Sequence, residues 1–333
     1  LQHTMSEKIA DGFGSLGELC EYHYSFVQDG KLTLVGRKFV NQPTHNWGHR
    51  VAFAGTYVLT LDKKTNQWER HDFPELVGDE NAEESLFVRD DKLYLLIFVN
   101  FGSIQFKKLF KWENNSFNEI TLKAPEPKAI TAEQKTDIIT ASGTTSNGAS
   151  IIVARDDNCD ILLYSLTVDG GSATIESTSH ISIDSNPLRG MPVLAEVVGD
   201  KVLISYGVHG CGFRWENNRL FVFDLKSNSV RHVDIEGDYE NLPKYCFSGP
   251  RCSFVNKDTN SWIVAAGSVQ QGMTGNAFYG AVWALKGDVF DENSKATWVE
   301  LPQTVEEGDH ILDGFHLYTV SKEAVSKIKL NEI

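Results

Sequence analysis

Any chemistry in this 333-residue chain would rest on a few histidines, cysteines and carboxyls. His45 and His49 stand four apart, a metal-ligand spacing when both lie on one helix face. Here they flank Asn46, Trp47 and Gly48, a loop-like stretch, so a helix does not supply that geometry. His209 and Cys211 are a second pair of potential ligands. No dense Cys/His set or repeated Asp-rich loop accompanies either pair, and neither a metal nor any other cofactor is expected. Two acidic stretches could supply the paired carboxyls of acid–base hydrolysis. One holds Glu75, Asp79, Glu80, Glu83 and Glu84, the other Glu306, Glu307 and Asp309. A charge run is more commonly a solvated connector, and that reading is preferred. Neither a glycine-rich phosphate loop nor a Gly-x-Ser-x-Gly elbow occurs. No catalytic residue is assigned.

Recognition chemistry is richer. His45, Trp47, His49 and Arg50 share one stretch, His209, Arg214 and Trp215 a second, and Met273 and Tyr279 a third, with Phe101 in a shorter one. Trp, Tyr, Arg and Met are the side chains that interfaces concentrate. The competing role is packing inward over a central channel.

The elements that carry these residues are short strands. Arg219 to Ile235 (RLFVFDLKSNSVRHVDI) reads as two apolar runs around the polar turn at Lys226 to Ser229, a hairpin signal. Val193 to Val198 and Lys201 to Tyr206, around Gly199-Asp200, form another hairpin, and Gly207 to Asn218 is an elaborate loop between the two. Four strands with two plain turns and one rich loop make one propeller blade. Others follow: Glu21 to Val27, Lys31 to Val35, Val51 to Leu61 and Trp68 to Phe73; then Ser85 to Val88, Lys92 to Phe98, Phe106 to Trp112 and Phe117 to Leu122. A third begins near Asp137, and a fifth runs from Cys252 to Leu301. Asp62 and Asp224 open equivalent turns 162 residues apart, three times 54, a propeller period. The expected fold is all-β: a propeller of four-stranded antiparallel blades over residues 5–333, with 1–4 a tag remnant before Met5. Phe315 to Val320 and Val325 to Leu330 belong to a sixth blade that the N-terminal segment completes; five blades plus a capping hairpin would also fit.

Composition narrows the partners. A formal charge of −14 argues against nucleic acid. The longest apolar run, Leu93 to Val99, is far below the roughly 20 residues of a membrane span. Five unevenly spaced cysteines read as reduced thiols, giving a cytoplasmic expectation. The acidic balance suits a partner of basic character.

The outer hairpins YVLTLDKKTNQW (Tyr57 to Trp68), LFVFDLKSNSV (Leu220 to Val230) and AVWALKGDVFDENSKATW (Ala281 to Trp298) resemble the closing half of a kelch repeat. Gly36, Gly207 and Gly267 resemble the family's glycine position, although its Gly-Gly pair is absent. The resemblance implies a ring of blades that binds a protein or peptide, with the second-to-third-strand loops and blade connectors on one face. The expected function is therefore a non-enzymatic protein-interaction scaffold. The alternative is an enzyme with a small-molecule or carbohydrate site over the axial channel.

Overall fold

The computed structural model describes residues 6–17, 24–43, 49–73, 82–130, 138–156, 158, 160–182, 190–208, 216–236, 252–270 and 276–330. Within them, side chains are described except at 37–43, 49–54, 190–193, 206–208, 216–219, 252, 266–270 and 276–279. The chain opens with β1 (Glu7–Asp11) and a single 3-10 turn, Gly14–Leu16. Blade I is β2 (Tyr24–Gln28), β3 (Lys31–Pro43), β4 (His49–Asp62) and β5 (Gln67–Phe73). Blade II is β6 (Ala82–Arg89), β7 (Lys92–Val99), β8 (Ser103–Glu113) and β9 (Ser116–Lys123), followed by the short β10 (Lys128–Ala129). Blade III is β11 (Ile138–Thr140), β12 (Ser150–Arg155), β13 (Ile161–Asp169) and β14 (Ser172–Ile181). Blade IV is β15 (Gly190–Val198), β16 (Lys201–Val208), β17 (Glu216–Asp224) and β18 (Ser229–His232), then β19 (Ile235–Glu236). Blade V is β20 (Cys252–Val255), β21 (Trp262–Gln270), β22 (Asn276–Lys286) and β23 (Ala296–Thr304). Blade VI is β24 (Asp309–Asp313), β25 (His316–Val320) and β26 (Ala324–Lys329), and β1 pairs antiparallel with β26 as its fourth strand. The described residues hold no α-helix, and none of their helices is long and apolar enough to cross a membrane.

Each blade is too thin to have a core of its own, so the apolar side chains meet between blades. β12 shows why its centre, Ile151 to Ala154, is a continuous apolar run. Ile152 and Ala154 pack toward blade II, Ile151 and Val153 toward blade IV, and all are buried. β7 divides the same way, with Leu93, Leu95 and Ile97 toward blade I and Tyr94, Leu96 and Phe98 toward blade III. Three further clusters fill the seams IV/V, V/VI and VI/I, the last joining Leu32 and Tyr57 to Tyr318 and Val325. Six seams between six blades mean that the ring closes.

Turn chemistry sets the register. Asp29-Gly30, Asp90-Asp91 and Asn114-Asn115 are two-residue turns with positive φ at both positions, matching the strand twist. Asn114-Asn115-Ser116, which matches an N-glycosylation sequon in sequence, opens on such a turn. Asp62 and Asp224 play equivalent parts in blades I and IV. Each Oδ1 accepts two backbone N–H bonds, from Lys64 and Thr65 and from Lys226 and Ser227.

The structure alters the strand reading in five places. The expected loop from Gly36 to Arg50 is largely ladder: β3 and β4 stay paired out to Pro43 opposite His49. The same holds at Val208 opposite Glu216 and at Gln270 opposite Asn276. Val233 still bonds to β17, its N–H donating to the Leu220 carbonyl at 2.9 Å, but Ile235 leaves the hairpin, and β19 pairs in parallel with β23 of the next blade. Glu83 and Glu84, read as connector, lie in β6.

Gly36 stands opposite Tyr57 in the ladder, and a Cβ there would sit 2.3–2.4 Å from the ring's Cζ and hydroxyl oxygen. The ring is fully buried with the Arg70 guanidinium 4.5 Å from its centroid, so it cannot simply swing away. Gly36→Ala should therefore cost about 1–3 kcal/mol through overpacking. A thermal melt lowered by several degrees is the expected result.

Candidate functional site

The first strands of the blades, β2, β6, β11, β15, β20 and β24, adjoin one another in order around the axis. Polar side chains link them across the seams. Ser85 and Thr140 hydroxyls lie 3.1 Å apart, and Gln28 Oε1 accepts the Leu93 N–H at 3.0 Å. The backbone of Ser142 bridges β15 in parallel at Glu196.

Among the described side chains, five titratable groups are buried on these inner strands: Glu84, Arg89, Glu196, Asp309 and His310. Glu196 is strongly perturbed. Its neighbours Ala195 and Val197 pack toward blade III, so strand alternation turns Glu196 toward blade V. There the Ser253 hydroxyl donates to Oε1 at 2.5 Å. Burial pushes the carboxyl up to about 8, against the opposing pull of the Ser253 bond. At neutral pH it keeps its proton and can donate it. Beside Glu84, Glu83 accepts the Asn100 side-chain N–H at 2.8 Å. Burial holds His310 below the usual imidazole range, opposed by its Nε2 bond to the Glu306 carbonyl (2.8 Å) and by the Asp309 charge.

Sequence reasoning missed Glu196. The signal was a lone acid inside the apolar run VLAEVV of an inner strand. Of the expected binding residues, Phe101 is 49% exposed near the β7–β8 turn. Among the described residues it stands apart from the other exposed large apolar side chains, Leu16 in the 3-10 turn and Val230 in blade IV. Isolated residues of this kind do not make a patch. His49, Arg50 and Tyr279 lie in paired strands rather than loops, and their side chains are not described. His45, Trp47, His209, Arg214, Trp215 and Met273 lie outside the described residues, as does Cys211.

The closed ring of four-stranded antiparallel blades defines a β-propeller. Neither a protein-family model nor a curated protein matches the chain. Solved structures do. One is a GH43 β-1,3-galactosidase with galactodeoxynojirimycin, at TM-score 0.49 and 8% identity over 88% of this chain and 98% of that one. Another is an exo-β-1,3-galactanase from Clostridium thermocellum, at 0.48 and 10% over 94% and 70%. A third is the Trypanosoma rangeli sialidase, at 0.48 and 11%, where this chain spans 98% of its own length but 57% of the sialidase. At these identities the likeness concerns the fold. The expectation of a kelch-type interaction module is corrected: the three similar structures are a galactosidase, a galactanase and a sialidase, and none is a kelch protein. Its physical support has also narrowed, because stretches taken for open recognition loops are partly backbone ladder.

Proposed function

We propose that the chain is an enzyme acting on a small polar molecule, a carbohydrate being the leading class, at the axial channel. The observation that carries this reading is Glu196, a carboxyl on an inner strand whose proton is held up to about 8. Strongly perturbed carboxyls concentrate where acid–base chemistry is done. A carboxylic acid kept neutral at pH 7 by an apolar environment is the general-acid half of a glycosidic hydrolysis pair. Glu84, buried on β6, is the second carboxyl in this reading. Ser253 would orient the acid through its bond to Oε1. The galactosidase, the galactanase and the sialidase are named for carbohydrate substrates of their own; the proposal for this chain stands on Glu196.

The test is turnover of a panel of aryl glycosides by the parent, Glu196→Gln and Glu84→Gln, with melts in parallel. Loss of a general acid lowers the rate by about 10²–10⁴. A loss of that size in Glu196→Gln without a lowered melt supports the reading. A parent that turns over none of the panel, or a Glu196→Gln variant as active as the parent, sinks it.

A further inference from the structure

On blade III, away from the axial carboxyls, we propose that Asp156, Asp160 and His180 form a binding site for a divalent first-row cation. Asp156 and Asp160 sit in the turn between β12 and β13, closed by the Asp156 N–H bond to the Asp160 carbonyl at 3.0 Å. Asp156 Oδ1 accepts the N–H groups of Asn158 and Asp160, both at 3.0 Å. One oxygen is thereby fixed, and Oδ2 faces His180. The histidine arrives from a different strand, because the β13–β14 register places it opposite Leu162.

Imidazole Nε2 lies 3.1 Å from Asp160 Oδ2 and 3.2 Å from Asp156 Oδ2. One donor atom from each of the three residues falls within 4.8 Å of the others. Ligands held at about 2.0–2.2 Å from one ion lie within that reach of each other. Among the described residues no other group of three His, Cys, Asp or Glu gathers this way.

Burial adds a separate argument. The two carboxyl side chains are only 8% and 12% exposed, while His180 is 50% exposed. Two desolvated carboxylates side by side repel unless a cation lies between them. Lys128 Nζ is 3.8 Å from Asp156 Oδ2, at the outer edge of an ion pair, and its side chain is 40% exposed. A metal ion bound to Nε2 would serve both carboxylates through directed bonds. The half-exposed imidazole leaves the solvent side open for further ligands. One nitrogen and two oxygens suit Zn²⁺ or Mn²⁺.

The test is calorimetric titration of the chelator-treated protein with Zn²⁺ and with Mn²⁺. The parent is compared with Asp160→Asn, His180→Gln and Lys128→Gln. His180 is half-exposed, so its replacement removes the nitrogen ligand without opening the core. One equivalent should bind the parent and raise its melt. Asp160→Asn and His180→Gln should each weaken binding at least tenfold. Lys128→Gln, which removes a nearby positive charge, should tighten it. No saturable binding of either ion, or unchanged affinity in His180→Gln, overturns the proposal and leaves an ion-pair cluster. Binding is read without substrate, so this result is independent of whether the axial carboxyls are catalytic.

Discussion

A chain lacking residues 1–17 should melt roughly 10 °C lower than the parent and associate in solution. The segment supplies the fourth strand of blade VI, and without it the backbone edge of β26 is left unpaired. It also reaches both sides of the closing seam. Ala10 and Phe13 are buried in the cluster between blades VI and I, and Phe13 meets Trp68 edge-on at 6.0 Å. Trp68 Nε1 donates to the Asp11 carbonyl at 3.0 Å, and Arg70 donates to that of Leu16. Gly14 N–H bonds to the Lys322 carbonyl at 2.9 Å. Losing a buried Phe alone costs about 3–5 kcal/mol, and each lost hydrogen bond about 1 more. At a few degrees per kcal/mol the shift is about 10 °C or more. A point substitution separates docking from mere truncation. A Cβ on Gly12 would fall 2.3 Å from the carbonyl carbon and oxygen of Lys322 and from the Ser321 oxygen, all backbone. Gly12→Ala should therefore reproduce much of the loss. A truncated chain that stays monomeric with an unchanged melt would make β1 an appendage.

Sequence patterning finds what two-sided burial dictates. Ile151 to Ala154 and Leu93 to Val99 are apolar throughout because both faces of those strands are covered. The turns at Asp29-Gly30 and Asp62 announce themselves because Gly, Asp and Asn supply the conformations required there. β1 escapes this signal, since Ala10 is its only buried residue and an outer strand has little apolar pattern to show. The outer reaches of β3 and β4, RKFVNQP and HRVAFAG, are held by backbone pairing that leaves no periodic trace in the side chains. The sites fail to show for a related reason. Asp160 and His180 are twenty residues apart and meet only through the β13–β14 register. Glu196 and Ser253 belong to different blades and meet only because inner strands crowd the axis.

That crowding makes Glu196 a source of pH-dependent stability. Its folded-state value of about 8 lies above the ordinary 4.5, so between these values the native carboxyl keeps a proton that the unfolded chain releases. Unfolding then releases a proton, and stability falls as pH rises through that window. It is flat for this group below about pH 4.5 and again above about 8. At about 1.36 kcal/mol per unit, the full span of roughly 3.5 units is worth on the order of 5 kcal/mol. His310 acts in the opposite sense and on the acid side. Its folded value is depressed by burial, so stability is lost as pH falls below its ordinary 6.5. The two are separable by substitution. Glu196→Gln keeps the shape and removes the titration, so its melt should fall less between pH 6 and pH 9 than that of the parent. At pH 9 the variant should be the more stable by a few kcal/mol, because the parent then has to bury a charge or protonate against the solvent. His310→Gln should instead change only the acid limb. Melts of the three proteins from pH 5 to pH 9 decide the matter. Parallel alkaline limbs for parent and Glu196→Gln would mean that the carboxyl is ionised in the fold, and with it would go the neutral proton donor on which the axial chemistry depends.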